Sequence, residues 1–172
     1  MRYAFWLIAA LVVVLDQWTK HLVQASLPVH VPVPVIPGVV ALTHTYNRGV
    51  AFGQFAGGGP LILIALALAA VLGIIAYRAK LLRTGIQIHP LLLLGLALPA
   101  GGALGNVLDR IRIGQVVDFI DFGWWPVFNV ADTAITLGAV ALVVYFTFIN
   151  GTAPDEWTAP AAADGCSNGS GG

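Results

Sequence analysis

Residues 101–133 read GGALGNVLDRIRIGQVVDFIDFGWWPVFNVADT. Asn106, Asp109, Arg110, Arg112, Asp118, Asp121, Asn129 and Asp132 fall within this one stretch, although only 9% of the chain is charged. A charge near the centre of a bilayer costs about 2.5 to 3.5 kcal/mol on insertion scales, so polar groups gathered beside membrane-crossing segments are functional candidates by default. The stretch is a polar junction between two hydrophobic segments, and the rest of the chain is read outward from it.

The 172 residues suit one domain, but 58% hydrophobic content and a mean hydropathy of +0.86 lie far above a soluble average. An all-α integral membrane protein is expected. Zero net charge and the absence of a basic run argue against nucleic acid as a partner. Cys166 is the sole cysteine, which excludes an internal disulfide. Four segments approach the roughly 20 apolar residues that cross a bilayer: Tyr3 to Val23, Pro60 to Tyr77, Ile88 to Leu108 and Phe128 to Ile149. The first begins like a signal peptide, but Asp16, Gln17, Trp18, Thr19 and Lys20 follow where small residues would mark a cleavage site, so it is expected to be retained as a helix.

Between the first two segments, residues 24 to 59 form a loop with its own character. Pro28, Pro32, Pro34 and Pro37 hold its first half extended and out of any central strand, while Leu42 to Tyr46 alternate as a half-buried strand does. A small extracytoplasmic β-rich element between helices 1 and 2 is expected there. It runs into Asn47-Arg48-Gly49-Val50-Ala51-Phe52-Gly53, whose glycines permit turns and whose Phe52, with Phe55, suits the membrane interface. Residues 78 to 89 read as a short basic loop, and residues 151–172, rich in Gly, Ala, Pro and Ser, as a disordered tail after a membrane domain of residues 1–150.

Four crossings put the termini and the second loop on one face, and the other loops on the opposite face. Asp16, Lys20, Asn47, Asn106, Asp109, Arg110, Asp118, Asn129 and Asp132 then share one membrane surface, a sorting that accidental polar residues would not show. Lys and Arg divide equally, with Arg2, Arg78, Lys80 and Arg83 on the terminal face and Lys20, Arg48, Arg110 and Arg112 on the other. The terminal-face bases have no neighbouring acid, whereas Lys20 follows Asp16 by one turn and Arg110 adjoins Asp109, so the termini are assigned to the cytoplasm.

Two carboxylates sharing a site do not both ionise readily, and such a pair can act as base and acid on a water and a carbonyl. Asp118, in an apolar run, and Asp132, at the start of the fourth segment, are the candidate pair; Gly123 and Pro126 between them let the chain turn back. A structural ion pair or a helix cap is the competing reading for each. Asp16 and Lys20, four residues apart on a helix, suggest a structural pair. His21, His30, His44 and His89 lack metal-ligand spacing and read as interfacial or loop residues, and Asp121 as solvated. No metal and no cofactor is expected. A small ion- or proton-translocating membrane protein is the alternative from another class, since intramembrane carboxylates also mark proton relays.

Asp16-Gln17 with Thr19-Lys20, Asn47 to Gly53, Gly105-Asn106 with Asp109-Arg110, Val116-Val117-Asp118-Phe119 and Phe128-Asn129-Val130-Ala131-Asp132 together resemble, in order, the motifs of the lipoprotein signal peptidase (signal peptidase II) family. The resemblance covers roughly residues 3 to 149. It implies an aspartyl endopeptidase of the bacterial cytoplasmic membrane that removes signal peptides from diacylglyceryl-modified prolipoproteins, cuts before the lipidated cysteine, works among membrane lipids and is inhibited by globomycin-type cyclic peptides. It further implies Asp118 and Asp132 as the catalytic pair, with Asn47, Gly49, Asn106, Arg110 and Asn129 in supporting or substrate-contacting positions.

Overall fold

The computed structural model describes residues 3–49, 59–85 and 87–149. Four helices carry the architecture: α1 (Ala4–Ser26), α2 (Gly59–Arg83), α3 (Pro90–Ile113) and α4 (Val130–Val144), the last continuing into a π-helical turn, Tyr145–Ile149. Each is long and apolar enough to cross a membrane when α4 is taken with its extension. Three strands, β1 (Pro32–Ile36), β2 (Val40–Asn47) and β3 (Val116–Asp121), form one antiparallel sheet in that order.

The helices divide their labour by burial. Within the bundle 61% of the α3 span is buried, against 28% for α1, 17% for α4 and 6% for α2, so α3 is the central post and α2 a peripheral one whose exposed Leu61, Leu66 and Leu72 suit hydrocarbon. Small residues make the α3–α4 approach close: Gly102 lies against the Ala131 backbone and Gly138 against the Pro99 ring. Local signals bound α3 at both ends. Pro90 needs no hydrogen-bond donor in the first turn, the His89 ring accepts the Leu91 N–H, and Gly114 closes the helix in the left-handed conformation at φ +73°. Phe5, Leu92, Leu93, Leu96, Ala97 and Ala100 fill the end of the bundle remote from the polar junction.

Prolines explain the sheet order. Pro32 and Pro34 cannot donate to a ladder on both sides, and β1 is accordingly an exposed edge strand. β2 takes the centre, and β3 pairs with it from Asn47↔Val116 to Ala41↔Asp121 around an irregularity between Leu42 and Thr45.

Several expectations change. The β-rich element is not contained between helices 1 and 2: its third strand, β3, comes after α3, because the apolar run Val116–Phe119 buries itself against Val23 and Leu42 as a strand. Arg78, Lys80 and Arg83 lie on α2, which continues to Arg83, so the basic loop is shorter than the sequence suggested; the Arg78 guanidinium lies over the Phe5 ring, 4.8 Å from its centre. Likewise α3 runs past Leu108 and includes Asp109, Arg110 and Arg112. Phe52, Phe55, the tail and Cys166 lie outside the described residues.

Candidate active site

Strand β3 carries Asp118 into the interior. Its register sets Asp118 opposite Thr45 and Val116 opposite Asn47, and the first four residues of the strand are all buried. Asp118 is only 1% exposed, so both of its oxygens need partners. The Asn47 amide at the end of β2 donates to Oδ2 at 2.9 Å, and the Asn129 amide donates to Oδ1 at 2.6 Å. Burial pushes the Asp118 carboxyl up to about 6; the two amide bonds oppose the shift and the charge of Asp132 adds to it.

Asp132 arrives from the first turn of α4, and the cap of that helix ties it to Asp118. The Asn129 side-chain oxygen accepts the Asp132 N–H at 2.9 Å while the nitrogen of the same amide reaches Asp118. From the other side Asn106, on α3, donates to Asp132 Oδ1 at 2.8 Å. Asp132 Oδ2 has no hydrogen-bond partner among the described residues. It is half-buried and borders a cavity of about 280 Å³ lined by Trp125, Phe128, Thr133, Thr136 and Leu137. The hydroxyls of Thr133 and Thr136 are spent on the Asn129 and Asp132 carbonyls one turn back, which leaves that cavity chiefly apolar walls.

Beneath the carboxylates lies a second charged group. Lys20 Nζ contacts Asp16 Oδ2 at 2.8 Å, Asp109 Oδ2 at 2.9 Å and Asn106 Oδ1 at 3.0 Å, and all four side chains are buried. The two acids do more than balance the lysine. Asp16 accepts the Ala131 N–H at the start of α4, and Asp109 accepts the Val117 N–H of β3, so each fixes an element that delivers one member of the upper pair. The close approach of α1 and α3 needs Gly105, where an added Cβ would stand 2.6 Å from Asp16 Oδ2.

Arg110 completes the polar group from the last turn of α3. It makes no ion pair with Asp118 or Asp132; one terminal nitrogen reaches the Asn106 carbonyl at 3.4 Å, and its Nε has no partner among the described residues. Gly49 sits beside it. At φ +69°, with the positions of Arg110 Nη2 and Leu63 Cδ1 only 3.2 and 2.5 Å from an ideal Cβ, this turn admits glycine alone without strain. Asn47 fixes the same turn by accepting the Gly49 N–H at 2.7 Å.

The ten candidate site residues therefore converge on one end of the bundle. Asp16, Lys20 and Asp109 form its floor, Asp118 and Asp132 its upper level, and Asn47, Gly49, Asn106, Arg110 and Asn129 its frame. Gln17 is a participant that residue chemistry alone did not reveal: its amide donates to Asp109 Oδ1 at 2.9 Å and its oxygen accepts from Arg112 at 3.1 Å. Its place beside Asp16 in the first motif was the only signal. Two readings are corrected. Asp121 is half-buried, accepting the Thr43 hydroxyl and the Gly123 N–H, and His44 is buried on β2 with Nδ1 donating to the Leu27 carbonyl. Among the described residues no group of three or more His, Cys, Asp or Glu is placed to hold a metal.

Known proteins share both the sequence and the fold. The family model described as Signal peptidase (SPase) II matches residues 8–148. A lipoprotein signal peptidase of Desulforapulum autotrophicum is 44% identical over 151 residues, covering 83% of this chain and 90% of its own. That of Moorella thermoacetica is 41% identical over 138 residues, covering 80% and 89%. A solved bacterial membrane enzyme superposes with a TM-score of 0.76 at 28% identity, over 84% of this chain and 93% of its own. With most of its length matched at this level, this chain belongs to the signal peptidase II family.

Proposed function

We propose that the chain removes signal peptides from prolipoproteins as an aspartyl endopeptidase, with Asp118 and Asp132 as its catalytic pair. Family membership supports the reaction class. The observation that supports the residues is the shared amide network: Asn129 bonds to Asp118 and to the Asp132 backbone, and Asn106 bonds to Asp132, so the two carboxyl groups are held as one unit. Both Asp118 oxygens accept amide hydrogens, the pattern of an ionised carboxylate, which makes Asp118 the base. It takes a proton from water as that water attacks the scissile carbonyl. Asp132, through its open oxygen, donates a proton to the carbonyl oxygen in the substrate complex. Collapse of the tetrahedral species passes a proton to the leaving nitrogen.

The finer identity of the substrate is part of the same reading. A diacylglyceryl-modified cysteine lies just after the cut, and an apolar cavity beside Asp132 at the ends of membrane helices suits a substrate delivered from lipid. The site faces outward from the bacterial cytoplasmic membrane, with a peptidase domain of residues 1–150 and a separate tail. No observation favours an ion or proton translocator: the acids gather at one end of the helices instead of tracing a path through them. Purified protein given lipidated and unlipidated forms of one precursor is the direct test. Cleavage of the lipidated form alone is expected, and equal cleavage of both would remove the lipid requirement. Reporter fusions at Thr84 and Pro34 should report cytoplasm and exterior respectively; exchanged signals would invert the topology.

A further inference from the structure

The acid-bearing level and the lysine beneath it meet at one side chain, Asn106. An ammonium has three N–H donors and no acceptor, and Lys20 has three acceptors: Asp16, Asp109 and the Asn106 oxygen. An amide has two unlike ends. With its oxygen on Lys20, Asn106 has only its NH₂ end to present to Asp132, which it does at 2.8 Å. Turned the other way, it would set its NH₂ against the Lys20 ammonium, donor against donor.

We infer that Lys20 is a positioning residue that sets the polarity of the Asn106 amide, so that Asp132 always meets a donor; this rests on the dyad reading above. Asn129 also donates to the Asn106 oxygen, at 3.2 Å, but this is the longer contact, and the short bond of the same nitrogen goes to Asp118 at 2.6 Å. Lys20 makes the shorter of these two contacts to Asn106 Oδ1, at 3.0 Å, and it alone carries a charge. The acids on either side share this role, since Asp16 and Asp109 hold the ammonium where its third donor points at Asn106. On this account the lysine acts on the reaction without touching substrate.

A double-mutant cycle separates positioning from charge balance. Cleavage of a lipidated precursor by the full chain is measured for wild type, Lys20→Met, Asn106→Ala and the double variant, with kcat corrected for the folded fraction. Asn106→Ala in the wild type should lower kcat by about 100-fold, the scale of a misplaced reacting group. In the Lys20→Met background the same change should cost less than threefold, because the amide there has already lost its fixed orientation. A full 100-fold loss in both backgrounds would overturn the inference and reduce Lys20 to a counter-charge.

Asn106→Asp, which keeps the lysine, tests the idea where Lys20→Met does not fold. Its carboxylate still suits Lys20, but its second oxygen can donate to Asp132 only when protonated. Cleavage at the wild-type optimum should fall about 30-fold or more with the fold kept, because an acceptor then faces Asp132 while the contact to Lys20 is preserved. A loss of less than about threefold would overturn the inference. The dyad itself fails on a different result, unimpaired cleavage by Asp118→Asn or Asp132→Asn, so the two failures cannot be confused.

Discussion

The protein holds two clusters of carboxylates linked through Asn106, and they are built on opposite rules. In the lower one, Asp16 and Asp109 flank Lys20, and each has further donors from a neighbouring backbone or the Gln17 amide. In the upper one, Asp118 and Asp132 are held by neutral amides, with no cation paired to either among the described residues, and Asp132 borders a cavity. The residue type is the same. A carboxylate whose hydrogen-bonding capacity is saturated is fixed in charge and place and serves as structure, whereas a desolvated pair with spare capacity can exchange protons and serves as chemistry.

The sharpest break between the two clusters is in activity. Asp118→Asn and Asp132→Asn should each lower cleavage by more than about 1,000-fold, and the double variant should be hardly worse than either, as expected for groups that act as a unit. Thermal unfolding should stay close to wild type. Substantial cleavage by either folded variant would erase the distinction drawn here. The lower cluster should behave in reverse. Asp16→Ala leaves Lys20 with one fewer anion and the Ala131 N–H without its acceptor, and should cost about 3 kcal/mol of stability, as breaking a buried pair does. Denaturant melts on the detergent-solubilised chain check this, and unchanged stability would show the cluster to be dispensable.

Smaller effects refine the comparison. Asp118 must be ionised to act as base, and burial raises its carboxyl to about 6, so kcat/KM should fall as pH drops through about 6 and not near the ordinary aspartate value of about 4. A profile flat down to pH 5 would place the base elsewhere. The smallest effect is expected at Asp121, on the same strand but bonded to Thr43 and Gly123 and outside both clusters. Asp121→Asn should leave cleavage within about threefold. If it proved as inactive as Asp118→Asn, strand position and not the amide network would be the deciding feature.

Reading the chain in order foresaw a good part of this, for identifiable reasons. Helical segments announce themselves by apolar length, and the prolines of β1 and the alternation of β2 are local facts. The Asp16–Lys20 pair follows from helical spacing, and the five motifs brought the site residues into view. Helix ends were set too short at Tyr77 and Leu108 because hydropathy stops where charge begins, while a helix continues as long as its backbone bonds and caps allow. β3 escaped notice because four consecutive buried residues carry no alternation to distinguish strand from helix. The burial of Asp121 and His44 depends on partners in distant segments, so no local pattern marks it.

Sequence alone pointed to a four-span membrane protein with its candidate site acids on one surface, since composition and parity need no knowledge of contacts. Asp118 and Asp132 were already the candidate pair at that level; only the tertiary structure shows how their surroundings differ from those of Asp16 and Asp109. Asp16, Asp109, Asp118 and Asp132 are chemically identical, and their difference lies in what surrounds each: an ammonium for the first two, and amides, an apolar cavity and a shared helix cap for the last two. Those surroundings come from α1, β2, α3, β3 and α4 meeting at one point, where desolvation and hydrogen bonding, not residue type, set what a carboxylate does.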